Sequence, residues 1–138
     1  MAKLTDAEYT LLLELRTALR RFLAWSEHQA QTSGLTGTQH QLLLAVRGHP
    51  QPKAPNIGEL AAHLLLRHHS VVGLVDRTET AGLVRRVTDP DDHRVVRVVL
   101  TAEGSDALGH LTASHLEELA RLAPFVRRLS WMELEEPT

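Results

Sequence analysis

Apolar and polar positions alternate with a helical period over much of this chain. Leu12, Leu15, Leu19, Phe22 and Ser26 recur at three- and four-residue steps, and Thr5-Asp6-Ala7-Glu8 ahead of them is a capping box, so a long helix is predicted to begin there. Tyr9, Leu13, Leu23 and Trp25 form a second apolar row beside that stripe. A helix with two such rows is expected to touch its own domain on one side and another subunit on the other. Thr36-Gly37-Thr38-Gln39 is a second capping box, opening a helix through Leu42, Leu43 and Val46 that stops near Gly48. Pro50, Pro52 and Pro55 make the next stretch an extended loop. Asn56, with Glu59 three residues on, then caps a short helix that carries Ile57, Leu60, Ala61 and Leu64 inward.

The pattern changes period in the second half. A helix from about His68 to Ala81 places Leu74, Val75 and Thr78 on one face, and Gly82 supplies a left-handed stop. Val84 to Thr88 reads as a strand, Asp89-Pro90-Asp91-Asp92 as a turn, and Val95 to Thr101 as a β-branched return strand with Val96, Val98 and Leu100 on one face. Arg94 then stands near the hairpin tip. Thr101 caps a long helix using Ala107, Leu108, Leu111, Leu116 and Leu119, and Pro124 breaks or kinks it, leaving Phe125, Val126, Leu129 and Trp131 as an apolar tail. Two short helices at close spacing followed by a hairpin predict a mostly α fold with a small β-hairpin wing, a winged helix-turn-helix.

Composition narrows the chemistry. With 138 residues, 43% of them hydrophobic and only 4% aromatic, the chain supports one core built from Leu, Val and Ala, and a partner is expected to cover its remaining apolar faces. There are no cysteines, which removes disulfides, thiolate metal sites and thiol redox switches. No basic stretch followed by an apolar run opens the chain and no apolar run reaches membrane-spanning length, so a cytoplasmic protein is expected, with no membrane partner. A net charge of −2 argues mildly against nucleic-acid binding, but its distribution points the other way. Arg67, Arg77, Arg85, Arg86, Arg94 and Arg97 gather in the helix and hairpin, whereas Glu117, Glu118, Glu133, Glu135 and Glu136 lie toward the C-terminus.

The stretch from Leu74 to Gly104 resembles the winged helix of the MarR family of bacterial transcription regulators. The resemblance rests on Leu74-Val75-Asp76-Arg77, Gly82-Leu83-Val84-Arg85-Arg86, Asp89-Pro90-Asp91-Asp92-His93-Arg94 and Leu100-Thr101-Ala102-Glu103-Gly104, in that order, and extends from about Thr5 to about Leu129. It implies a single domain over 1–138, with 5–33 and 102–131 as dimerisation helices that intertwine with a second subunit and 36–101 as the DNA-binding lobe. It further implies a homodimer on double-stranded DNA with a pseudo-palindromic operator, repression of transcription, and release by a small aromatic or phenolic effector, with no cofactor. Family members that sense peroxides through a cysteine have no counterpart in this cysteine-free chain. At the inter-helix turn the family commonly has Gly and then a Ser or Thr cap, where this chain has Leu64-Leu65-Leu66-Arg67-His68-His69-Ser70. Leu65 takes a positive backbone dihedral less cheaply than Gly, so a wider turn or a shifted helix start is expected.

Candidate DNA-contacting residues are Arg67, His68, His69, Ser70, Gly73, Arg77, Arg85, Arg86 and Arg94. Arg77 reads as a base contact, a solvated charge or a brace on the wing through Asp89 or Asp92. Arg85 and Arg86 touch phosphate or solvate the strand, and Arg94 enters a minor groove with Asp92 holding it in place. Arg97 is expected to matter less, on an outer face.

Nine histidines raise a second reading, a metal-sensing or protein-interaction dimer of the same fold with weak DNA binding. However, neither His63, His68 and His69 nor His110 and His115 have the spacing of a helical zinc motif, and most histidines are expected at the surface or at helix ends. His40 is either a hydrogen-bonded core residue or part of an effector pocket with Trp25 and His28. Ser70, His68, His69 and Asp76 contain triad residue types, but one helix cannot present them as nucleophile, base and orienting acid, so no enzyme is expected.

Overall fold

The computed structural model describes residues 3–130. Its elements run α1 (Asp6–Thr32), α2 (Gly37–Gly48), α3 (Ile57–Leu64), α4 (His68–Thr80), β1 (Val84–Thr88), β2 (Val96–Leu100), α5 (Ala102–Ala120) and α6 (Ala123–Ser130). Three helices start where short-range chemistry dictates. Thr5 with Glu8, Thr36 with Gln39 and Asn56 with Glu59 each form a reciprocal capping box, satisfying amide groups that the first turn leaves without partners. Thr101 caps α5 by accepting from the Gly104 amide at 3.0 Å.

The strands pair antiparallel in the register Val84↔Leu100 through Thr88↔Val96. The proline-rich loop adds a third edge: Asn56 bridges Arg97, and the Val98 amide donates to the Pro55 carbonyl at 2.9 Å. Leu42, Leu43, Leu60, Val71, Leu74, Val75, Val84, Val98, Leu108 and Leu111 bury together as one core beneath α2, α3, α4 and the hairpin. Two glycines set the approach of the hairpin to the helices. Gly82 takes φ +81 to end α4, and at Gly104 any Cβ would collide with the Leu83 carbonyl oxygen, so only glycine lets α5 start against the base of β1.

The inter-helix turn differs from expectation. It is not widened, because Leu65 itself adopts the left-handed conformation (φ 54, ψ 40), and the Leu66 amide returns to the Ala61 carbonyl at 3.1 Å in the pattern that closes helices with a glycine. α4 therefore starts at His68, with Arg67 as its N-cap.

The long helix α1 buries only Ala30. Tyr9, Leu12, Leu13, Leu19 and Leu23 remain exposed, as do Leu116, Leu119, Val126 and Leu129 on α5 and α6. Trp25, placed by the sequence in the second apolar row, shares a side with Phe22 and Ser26 of the first, while Leu12 of the first row joins the exposed set. α5 ends at Ala120, and Pro124 falls in the first turn of α6, where its missing amide hydrogen needs no partner. Trp131, the last residue of the expected apolar tail, lies outside the described residues.

Candidate nucleic-acid interface

α3, the left-handed turn and α4 form a helix-turn-helix whose second helix buries Val71, Leu74, Val75 and Thr78 and turns the opposite face outward. On that outer face Arg67, His68, His69 and Arg77 are exposed, and Ser70 and Gly73 are half-buried. Among the described residues no side chain caps the start of α4. Its first amide groups therefore carry the positive end of the helix dipole beside two imidazoles and a guanidinium, an arrangement that attracts anions. Arg77 lies back along its helix, with Nη1 3.3 Å from where a Cβ on Gly73 would stand.

The wing is held by its own acids. Asp89, 2% exposed, accepts from the Asp91 and Asp92 amides at 2.7 and 3.1 Å, from Arg97 Nε at 2.6 Å and from Lys53 Nζ at 3.3 Å. The Arg97 guanidinium, followed by these amides and Lys53, holds the Asp89 carboxyl well below the usual carboxylate range. Arg97 also donates to the Ala54 carbonyl at 2.8 Å, tying the wing to the proline-rich loop. Thus Asp89 is braced by Arg97 and Lys53. Among the described residues Arg77 makes no such contact, and Arg97 is the anchor of the hairpin rather than an outer-face charge.

At the tip, Asp92 accepts from Arg94 Nε and Nη2, each at 3.1 Å, and from the Arg94 amide at 3.1 Å. This fork raises the Arg94 pKa and lowers that of Asp92 while the Arg94 side chain stays 91% exposed. Arg85 is exposed on β1, but Arg86 is not free to meet phosphate. It donates to Glu79 at 2.8 Å and to Asp76 at 2.6 Å, and is only 28% exposed, so it staples the first wing strand to α4. Glu79 also accepts from the Arg86 amide at 2.8 Å, and these bonds keep its carboxyl ionised to lower pH than usual. A cleft of about 370 Å³ between Asn56, Ile57, Gly58, His68, Arg94, Val95 and Val96 joins the head of α4 to the wing tip.

The three residues expected around an effector, Trp25, His28 and His40, are not brought into one direct contact. His28 is exposed, and the space between Trp25 and His40 is filled by the ring of His115, 4.7 Å from the first and 4.6 Å from the second between centroids. His115, weighed from the sequence only for its spacing from His110, is buried. His49 and His63 meet at 2.9 Å, with Glu59 3.0 Å from the other His49 nitrogen. Among the described residues no group of three or more His, Cys, Asp or Glu is placed to hold a metal ion, and no helix is long and apolar enough to cross a membrane.

Sequence reasoning missed Lys53, the inward role of Arg97 and the Arg86–Glu79 clasp. The available signal was the proline-rich loop, whose extended backbone is the kind of segment that lays an edge along a hairpin.

A profile of the MarR family matches residues 33–95. Over 63 residues the chain is 38% identical to YsmB, an uncharacterized HTH-type transcriptional regulator of Bacillus subtilis (strain 168); the match takes in 46% of this chain and 43% of that protein, so it spans less than half of YsmB. With YkoM, another uncharacterized HTH-type transcriptional regulator of the same organism, identity is 32% over 111 residues, 77% of this chain and 69% of YkoM. The fold is that of the S. aureus MepR in its DNA complex, with a TM-score of 0.68 at 19% identity, covering 88% of this chain and 85% of MepR. On this sequence match over most of both chains and this shared architecture, the chain belongs to the MarR family of HTH-type transcriptional regulators.

Proposed function

We propose that the chain is a homodimeric DNA-binding regulator that represses by occupying a pseudo-palindromic operator, with α4 in the major groove and the wing tip in the flanking minor groove. The observation that carries this reading is the sorting of charge around the helix and wing. Carboxylates Asp76, Glu79 and Asp89 are engaged by Arg86, Arg97 and Lys53, while Arg67, His68, His69 and Arg77 stand exposed across one cleft from Arg94. A nearly neutral chain thereby presents a cationic surface to phosphate.

The chemistry follows from the side chains present. Amides at the head of α4 and the adjacent cations meet backbone oxygens, and Arg94, held in orientation by Asp92, meets the narrow groove of A/T-rich sequence. Few side chains on this face are bidentate base readers, so specificity leans on duplex shape and on the wing. Dimerisation is supported by α1, a 27-residue helix with a single buried residue and a row of exposed leucines. Two copies of α4 about 34 Å apart would enter successive major grooves. Selection of bound sequences from a random duplex library at fixed salt tests the proposal: an enriched inverted repeat is expected, and recovery of unenriched sequence at every round would overturn it.

A further inference from the structure

The junction of α1, α2 and α5 holds a stack of rings that the DNA-facing surface does not use. His115, 8% exposed, lies at its centre, against Trp25 and Phe22 of α1 and His40 of α2, the last only 5% exposed. The Leu111 carbonyl sets which nitrogen of His115 carries the hydrogen in the neutral ring. A carbonyl oxygen only accepts, so Nδ1, 2.6 Å from the Leu111 carbonyl, carries the hydrogen, and Nε2 accepts from the Ser26 hydroxyl at 2.7 Å. His40 has no hydrogen-bond acceptor for its ring among the described residues. Its contact with His115, centroids 4.6 Å apart, links the DNA-binding lobe to the helix that follows the wing.

We propose that the His40 and His115 pair is an acid-sensitive latch between the dimerisation helices and the DNA-binding lobe. Neutral rings pack and hold α2 against α5. Protonation of His40 puts a charge into this packed ring contact and loosens it, and with it the fixed spacing of the two α4 helices in the dimer. Among the described residues no ion pair offsets that charge. From α1 the stack meets Phe22, Trp25 and Ser26, which do not ionise near neutrality; Glu27 of α1 packs against Gly37 at the head of α2, and Glu118 of α5 is turned to Arg121 at 3.6 Å.

Burial, and after it the neighbouring His115, hold the His40 pKa below its ordinary value of 6.5. An unfolded chain therefore takes up a proton at pH values where the folded chain does not. Folding stability from this site is complete above 6.5 and declines as pH falls below it toward the lower folded value.

The consequence for DNA rests on the function proposed above, whereas the consequence for folding does not, and the test separates them. Full-length wild type and His40→Phe, which keeps a ring but cannot protonate, are compared from pH 8 to 5 by urea unfolding and by affinity for a duplex enriched from the random library. Wild type is expected to lose its urea midpoint below pH 6.5 more steeply than the variant, and to lose roughly tenfold in duplex affinity relative to it by pH 5.5. Superimposable urea profiles would overturn the latch. Failure to enrich any duplex would overturn the DNA reading and leave the urea comparison to judge the latch. Should His40→Phe not fold, imidazole NMR of the wild type decides: His40 titrating together with the Trp25 indole signal is expected, and His40 titrating with Trp25 and His115 unmoved would overturn the proposal.

Discussion

Replacing Leu65 by glycine should stabilise this protein, although it removes a leucine. Leu65 closes α3 at φ 54, a conformation that costs an L-residue about 1–2 kcal/mol and a glycine almost nothing. Against that gain stand two losses. Full burial of a leucine side chain contributes about 1.5–3 kcal/mol, but this one is 90% exposed, so roughly a tenth of that, about 0.2–0.3 kcal/mol, is forfeited. Added freedom of glycine in the unfolded chain costs about 0.5–1 kcal/mol. The balance is a gain of about 0.5 kcal/mol, with an upper end of about 1.3 kcal/mol, which for a domain of this size raises Tm by roughly 2–4 °C. Urea and thermal unfolding at one fixed protomer concentration give the answer, because the stability of a dimer depends on concentration. A lower midpoint for Leu65→Gly would refute the reasoning and show that the exposed leucine is covered by a partner in solution.

The wing separates two arginines: Arg94→Ala should lower duplex affinity by roughly 10- to 100-fold with an unchanged urea midpoint, while Arg97→Ala should lower both, since it strips Asp89 of its nearest cation. Equal and negligible effects on affinity would remove the wing from the interface. Leu12→Asp combined with Phe125→Asp should abolish association and folding together, and sedimentation of a folded wild-type monomer at micromolar concentration would contradict the dimer. An imidazole beside phosphate favours its protonated form, so affinity in the His40→Phe background should rise as pH falls from about 8 toward about 6. Adding His68→Gln and His69→Gln should flatten that slope, and an unchanged slope would place these two histidines away from the DNA backbone.

What could be read in the chain depended on the distance over which each feature is determined. Capping boxes at Thr5, Thr36 and Asn56 are complete within four residues, and all three form as the spacing predicts. The hairpin was legible for the same reason, a turn of Asp and Pro between two β-branched runs whose pairing follows from the turn. Leu65 defeated the local rule because propensity is a small energy. The core beneath α3 and α4 fixes both helices, and a strain of about 1–2 kcal/mol at one turn residue is less than the cost of unpacking Leu60, Val71 and Leu74.

The arginines were legible in number but not in role. Arg86 and Arg94 stand in one hairpin with acids close by in sequence, and nothing local distinguishes a guanidinium bound to an exposed tip carboxylate from one pulled between Glu79 and Asp76 on the preceding helix. That choice is made by the docking of the hairpin against α4. Arg97 likewise finds Asp89 across the turn but reaches Ala54 only because the proline-rich loop runs alongside β2. His115 became central for a comparable reason: α1, α2 and α5 converge from three distant parts of the chain, and a ring that each separately could have left in solvent fills the space between them. Charge sorting in this domain is therefore a tertiary property. The acids close to the basic cluster in sequence hold the wing and α4 in place by engaging Arg86, Arg97 and Lys53, while Arg67, Arg77, Arg85 and the Asp92-held Arg94 stay among the exposed cations of the surface.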